Sequence, residues 1–229
     1  MDLVESYAQD LRFARKTFTR ALLGLLLLAV AVFPWVAPDY MLFIATLVAL
    51  YAIGVMGQNI LIGYTGQISF GQAGFLAIGA FAFGHMRIWG APFLLALAVA
   101  GTAAALAGVL VGFPSLRLKG PYLAIATLGF GVAVYQIFVN WEVLSGGRSG
   151  LAIAKLKPMF GLSSTRYEYY VYVILLAGFT LVTYNLVSSY IGRAFIAIRD
   201  ADIAAEVNGV NLTRYKLLSF AISSFYTGV

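Results

Sequence analysis

The chain predicts an all-α, polytopic transmembrane helical bundle of about six complete spans plus a truncated seventh, and three observations carry that expectation. Of its 229 residues, 62% are apolar and 10% are charged, roughly half the charge of an ordinary soluble domain, which excludes a conventional water-soluble enzyme. The charges are unevenly placed: residues 40–84, 88–116, 120–141 and 169–192 contain none. Since about 20 apolar residues cross a hydrocarbon layer of roughly 30 Å, each run holds at least one span and the first holds two. The net charge is +6, but the basic residues gather at the ends of the apolar runs, where they set membrane orientation and do not imply nucleic acid as a partner.

The elements follow in order. Residues 1–20, with Arg12, Arg15, Lys16 and Arg20, form a cytoplasmic N-terminal segment. The apolar run behind it ends PWVAPDY without a small-residue cleavage site, so it reads as a first anchor and not a cleaved signal. Spans are expected at 21–37, 40–57, 67–84, 92–113, 121–140 and 169–190, all within a transmembrane domain of residues 21–229. A backbone in lipid can leave the helix only where protein or water covers the freed groups, and GQNILIGYTG, Gly57 to Gly66, is where such a break is expected. The fourth span carries Ala100, Ala104, Gly108 and Gly112 at four-residue spacing, a stripe that permits close approach of a helix of this chain or of another subunit. Ala124, Ala126, Thr127, Gly129 and Gly131 make a less regular version in the fifth span. A seventh helix begins near residue 215, and the thirteen uncharged residues from Leu217 to Val229 are too few to cross, which predicts a span cut short.

With the amino end in the cytoplasm and each span reversing the side, ten Lys and Arg fall on cytoplasmic segments and five on external ones. The cytoplasmic ten include Arg117, Lys119, Arg193, Arg199, Arg214 and Lys216. The external five are Arg87, Arg148, Lys155, Lys157 and Arg166.

The chemistry is limited by what is absent. There is no cysteine, so disulfide, thiolate-metal and redox-thiol chemistry are excluded. All nine acids lie outside or at the edges of the expected spans, which leaves no mid-membrane carboxylate to carry a coupling ion. The single histidine, His85, stands at a span end beside Arg87 and reads as interfacial. With no buried acid pair and no activated nucleophile, no catalytic residue, metal site or bound cofactor is expected in this chain. The polar groups that do enter the membrane are uncharged and clustered. Gln67, Ser69, Gly71, Gln72 and Gly74 are the candidates for lining a solute path, with Gln67, Gly71 and Gly74 at helical spacing. The competing reading is that the glycines pack helices and the amides bond across them.

The loop after the sixth span, residues 190–216, reads YIGRAFIAIRDADIAAEVNGVNLTRYK. Arg199 to Asn208 suits a short helix, with Asp200 and Asp202 near its start, Ile203 and Val207 on one apolar stripe, and Gly209 as its stop. Such a helix fits either a groove on a partner or the membrane surface.

Ala204, Ala205 and Gly209 reproduce the spacing of the loop signature of permease subunits in bacterial ABC importers, Glu-Ala-Ala, three residues, Gly, with Ile203 where the glutamate usually stands. Together with GYTGQISFGQAGFLAIGAF from Gly63, LRLKGPYLAIATLGFG from Leu116, LSGGRSGL from Leu144 and GRAFIAIRDADIAAEVNGVN from Gly192, the chain resembles the M-subunit type of branched-chain amino acid importer permease over most of residues 40–229. The resemblance implies a subunit of the bacterial inner membrane that works with a second related permease, two cytoplasmic ATPase subunits that hold ATP and Mg, and an external solute-binding protein. It implies leucine, isoleucine and valine as cargo, although urea or short amides are carried by similar permeases and an ATP-independent channel is a further alternative. It assigns coupling to the loop 191–214, with Arg199, Asp202, Ala204, Ala205, Glu206 and Gly209 as the residues concerned. The external turn Gly146 to Gly150 is either a contact for the binding protein or a plain connector. The residues agree on one point independently: no Gly-x-x-x-x-Gly-Lys-Ser/Thr phosphate loop is present, so any ATP is hydrolysed by another chain.

Overall fold

The computed structural model describes residues 17–118, 120–147, 150–153, 156, 158 and 161–229. The predicted orientation signals at Arg12, Arg15, Lys16, Lys119, Arg148, Lys155 and Lys157, and the acids Asp2, Glu5 and Asp10, lie outside the described residues. Among those described, the chain is helical and contains no strand. The helices are α1 (Thr17–Val36), α2 (Asp39–Asn59, continued by a π-helical turn, Ile60–Tyr64), α3 (Gln72–Ile88), α4 (Phe93–Ser115) and α5 (Pro121–Asn140). They are followed by the short α6 (Glu142–Ser145), then α7 (Ser164–Ser188), α8 (Tyr190–Asp200), α9 (Asp202–Val207) and α10 (Leu212–Gly228). Asp39–Tyr64, Phe93–Pro114, Pro121–Asn140 and Ser164–Ser188 are long and apolar enough to cross a membrane, and Ala21–Val36 is a shorter apolar helix.

The chain divides into two compact units, Met1–Val48 with Leu156–Ile174, and Ala49–Lys155 with Leu175–Val229. In the first unit, α1 meets the start of α7. Pro34 lies inside α1 and has no N–H, so the Val30 carbonyl loses its helical donor. The Tyr169 hydroxyl replaces it at 3.0 Å, and the Tyr170 hydroxyl donates to the next carbonyl, Ala31, at 2.8 Å. Trp35 Nε1 donates to Tyr170 at 3.2 Å, and the Arg166 guanidinium stands over the Trp35 ring.

In the second unit the contacts fix helix directions. Phe75 meets Phe130 and Phe81 stacks on Phe138, so α3 and α5 run parallel. Gly101 abuts Phe225, Gly108 abuts Ser224 and Gly112 abuts Leu217, so α4 and α10 run antiparallel. The predicted small-residue stripe of α4 therefore packs inside this chain: Ala100 and Ala104 are fully buried, and a Cβ on Gly108 would collide with Ser224 Oγ. Helix α10 is the most enclosed element, with Ser219, Phe220, Ser223, Ser224, Tyr226 and Thr227 all buried. Large apolar side chains such as Leu106, Leu110, Ile125 and Val132 point outward, as they do where lipid is the solvent. Trp89 and Trp141 cap the parallel helices α3 and α5 at one end, the position of an interfacial aromatic belt.

Several expected boundaries move, two of them by five residues. The third helix begins at Gln72 and not at residue 67, and the sixth begins at Ser164 and not at 169. The expected break at Gly57 to Gly66 is displaced toward the C-terminus, because the chain stays helical through Tyr64.

Gly108→Ala is expected to lower stability by about 1–3 kcal/mol through overpacking, whereas Gly129→Ala, whose added Cβ meets nothing within 4 Å, is neutral or better. Thermal midpoints of the two variants in the same detergent check the contrast. Tyr169→Phe is expected to cost about 1 kcal/mol and to cost less in a Pro34→Ala background, where the Val30 carbonyl regains its own donor. A double-mutant cycle on thermal stability measures the difference.

Candidate functional site at the broken helix

The continuous run from α2 to α3 is interrupted at residues 65–71. Gly66 takes φ +68, a left-handed conformation open to glycine at low cost, and the chain then runs without helix to Gly71, which caps α3. A break of this kind inside an apolar bundle needs partners for each freed N–H. Gly66 N donates to Ile62 O and Gln67 N to Leu61 O, both at 3.1 Å, which closes the π-helical end. Phe70 N donates to Thr127 Oγ1 on α5 at 2.9 Å, and Gly71 N to Ser69 Oγ at 3.3 Å.

The side chains of the break then bond to α10. Gln67 Nε2 donates to Ser219 Oγ at 2.8 Å and Thr65 Oγ1 at 3.1 Å. One turn along, Gln72 Nε2 donates to Ser223 Oγ at 2.9 Å, and Thr227 Oγ1 donates to Gln72 Oε1 at 2.6 Å. Ser219, Ser223 and Thr227 thus form a hydroxyl stripe at four-residue spacing that reads two amides. The Thr65 hydroxyl donates to Leu61 O at 2.6 Å and the Ser219 hydroxyl to Lys216 O at 2.8 Å, and with their protons directed there both accept from the Gln67 amide. Gln67 Oε1 is left pointing elsewhere, buried and without a partner, in a residue only 7% exposed. An unsatisfied buried carbonyl of this kind costs about 1–3 kcal/mol.

The predicted loop helix is two helices. Ser189 caps α8 by accepting from Ile191 N, and Ala201, in extended conformation, separates α8 from α9. The expected single helix from Arg199 to Asn208 is therefore corrected. Gly209, at φ +84, does end α9: Val210 N bonds Ala205 O at 3.0 Å and Gly209 N bonds Glu206 O at 2.9 Å, the paired bonds of a Schellman motif. Ala205 is 4% exposed and belongs to the interior, whereas Ile203 and Val207 are 73% and 83% exposed. Ala204 and Glu206 are exposed beside them.

Arg199 joins this loop to the break. Its Nη1 donates to the Gly63 carbonyl at 3.0 Å, its Nε pairs with Asp200 Oδ1 at 2.9 Å, and its aliphatic stem lies on Gly66. Lys216 Nζ at the start of α10 stands 3.7 Å from Asp202 Oδ2. Around these groups is a cavity of about 250 Å³, lined by residues 65–67, by Ile198 to Asp202, by Lys216, by Leu118 and Gly120 from the α4–α5 turn, and by Leu123 in the first turn of α5.

The structure thus brings the two predicted sets into contact: Gln67 of the path set and Arg199 and Asp202 of the coupling set share one cavity wall. Ser69 is fully buried and Gly74 is packed on Phe130, while Gln72 is held by α10. The helical spacing expected for Gln67, Gly71 and Gly74 does not hold, since Gln67 precedes the helix and Gly71 is its cap. Ser219, Ser223, Thr227 and Lys216 were not among the predicted site residues. The signal for the hydroxyls was present as the four-residue repeat in SFAISSFYTG.

Apolar helices interrupted where protein covers the freed backbone groups recur in membrane transport proteins. The chain belongs to the branched-chain amino acid transport system permease component family, which matches residues 40–229. It is 35% identical to the high-affinity branched-chain amino acid transport system permease protein LivM of Escherichia coli strain K12, and 34% identical to that of Salmonella typhimurium strain LT2. Each similarity covers 90% of this chain and 55% of the relative, so the chain spans about half the length of the curated relatives it matches. No solved structure matches.

Because the chain contains no cysteine, single engineered thiols report the loop cleanly. Ile203→Cys and Val207→Cys are expected to react with a water-soluble maleimide at least about tenfold faster than Ala205→Cys. Equal rates at all three positions would contradict the burial pattern.

Proposed function

We propose that the chain is the translocating subunit of an ATP-driven importer of leucine, isoleucine and valine. It crosses the inner membrane with α1, α2, α3, α4, α5 and α7, has α10 as its seventh span, and keeps its amino end in the cytoplasm. It pairs with a second related permease, receives cargo from an external binding protein, and takes its energy from two cytoplasmic ATPase subunits. The family supports the transport class and the cargo class. The bond from Arg199 Nη1 to the Gly63 carbonyl carries the coupling reading, because it ties α8, which leads through Ala201 into the exposed apolar face of α9, to the segment that joins α2 to α3.

In this reading Ile203 and Val207, with Glu206 beside them, are the face that an ATPase subunit grips. Ala205 seats α9 on its own chain, Gly209 fixes the exit of α9 toward α10, and Asp202 with Lys216 passes displacement to α10. Arg199 passes it to the break, where Gln67, Ser69, Gly71, Gln72 and Gly74 form the part of the path that rearranges. The chain holds no cofactor of its own and the solute is chemically unchanged.

Ile203→Asp and Val207→Asp are each expected to reduce ATP-driven leucine uptake by more than about tenfold in proteoliposomes containing the full set of subunits, the effect of losing an apolar anchor. The thermal midpoint of the permease should be unchanged, since both side chains are exposed. Undiminished uptake in both variants would overturn the assignment of the gripping face. Leucine flux through the permease without ATPase subunits would establish the channel alternative, and uptake blocked by urea or acetamide but not by isoleucine would reassign the cargo.

A further inference from the structure

Helices α4, α7 and α10 leave an open apolar groove of about 470 Å³ on the outside of the bundle. Its floor is Ala221, Ile222 and Phe225 of α10, and its walls are Ala105 of α4 and Phe179 and Leu186 of α7. Tyr226 also lines it, but the tyrosine hydroxyl is bonded to Thr183 at 3.1 Å. On α10 the groove face continues through Leu218 to Arg214, because residues four apart share one side of a helix. Arg214 precedes Phe225 by eleven residues, about 16 Å at 1.5 Å each, which is close to the ~15 Å depth of one leaflet. Gly112 of α4 abuts Leu217 of the antiparallel α10, so Arg117, just past the end of α4, stands at the level of Arg214. Arg117 shares a second cavity with Phe113, which lies two turns beyond Ala105 on the same side of α4. Both arginines are exposed and neither pairs with a described carboxylate, whereas Asp200 and Asp202 stand by Arg199 and Lys216.

Possible occupants separate on these terms. Helices approach one another in lipid over small residues. The glycines of α4 at 101, 108 and 112 are already packed against α10, and the groove beside them is walled by the bulk of Phe179, Leu186, Ile222 and Phe225, which holds a helix backbone away. A soluble anion would meet the arginines and leave the groove empty. A flexible hydrocarbon chain that ends in a phosphate uses both.

We propose that this face binds one anionic phospholipid, with an acyl chain in the groove between α4, α7 and α10 and a phosphate that accepts from the guanidinium groups of Arg214 and Arg117. A guanidinium presents a planar fork of donors that matches phosphate oxygens, which suits arginine to this end of the site. The lipid lies along the outer side of α10, the helix whose inner side holds the amides of Gln67 and Gln72. The inference needs only a chain that spans a membrane, and neither the cargo nor the source of energy alters it.

Native mass spectrometry of the full-length permease tests the proposal, with the protein released from nanodiscs of equal parts phosphatidylglycerol and phosphatidylcholine that carry the same acyl chains. The wild-type chain is expected to retain phosphatidylglycerol over phosphatidylcholine by at least about tenfold. Arg214→Gln and Arg117→Gln are each expected to lower that ratio by about fivefold, the share of one arginine in attracting an anionic lipid. Ala221→Trp, which fills the groove, is expected to lower retention of both lipids. A wild-type ratio near one overturns the proposal, as does an unchanged ratio in both glutamine variants or undiminished retention in folded Ala221→Trp. A bifunctional maleimide that joins Ile222→Cys to another polypeptide in the same nanodiscs overturns it in favour of a protein occupant. Should the glutamine variants fail to fold, the fluorescence of Leu186→Trp decides the point with both arginines in place. Stronger quenching by brominated phosphatidylglycerol than by brominated phosphatidylcholine supports the site, and equal quenching overturns it.

Discussion

A buried peptide group that leaves the helix must find its partner within the protein, and the interruption at residues 65–71 imposes that constraint on its neighbours. Thr127 sits on α5 where it can accept from Phe70 N while donating back to its own helix at Leu123 O. Ser219, Ser223 and Thr227 sit on α10 where the amides of Gln67 and Gln72 arrive. This explains an inversion in the bundle. The most enclosed helix, α10, carries four serines and threonines on its buried side, while the helices that read as the most apolar, such as α4 and α5, turn large side chains such as Leu106, Leu110, Ile125 and Leu128 outward.

The same constraint gives the loop its rigidity. A surface ion pair such as Arg199 with Asp200 contributes about 0–1 kcal/mol, too little to fix the position of α8. What holds α8 is the charge-assisted bond to the Gly63 carbonyl, a group exposed by the end of the π-helical turn, together with Phe195 packed in the cluster of Ile53, Ile60 and Tyr226. On the other side of Ala201, α9 is held by buried Ala205 and by the Schellman bonds at Gly209. The two helices therefore behave as seated pieces with one extended residue between them, and not as a tether.

Much of this was legible in the sequence. Charge-free runs located α2, α4, α5 and most of α7, the four-residue stripe of α4 announced a close helix partner, and Gly209 was readable as a stop. The position of the break was not. Gly57, Gly63 and Gly66 are equally able to end a helix on composition, and only Gly66, whose Cα faces Arg199, adopts positive φ. The π-helical turn of ILIGY has no compositional mark at all. Gln67, Gly71 and Gly74 match a helical repeat by coincidence, since side-chain bonds to α5 and α10, more than fifty residues distant in sequence, decide the backbone there. The apolar stripe of Ile203 and Val207 was visible, but amphipathic pattern alone does not tell whether the apolar face or its neighbour Ala205 turns inward.

Helix α10 links these observations into one mechanical unit. It starts at the cavity, where Lys216 stands by Asp202, and ends where Thr227 holds Gln72. Its 17 residues extend about 25 Å at 1.5 Å each, most of the thickness of a hydrocarbon layer. Its bonds to the break come at two levels, Ser219 to Gln67 and Ser223 with Thr227 to Gln72, so α10 cannot slide or rotate past the start of α3 without breaking at least one amide contact that lipid cannot replace. On its opposite side Gly108 leaves room for a hydroxyl and nothing larger, which is why Ser224 bonds back to Phe220 O and not outward. A displacement of α10 at the loop end would therefore cost less with α3 moving alongside than with either amide left unpaired.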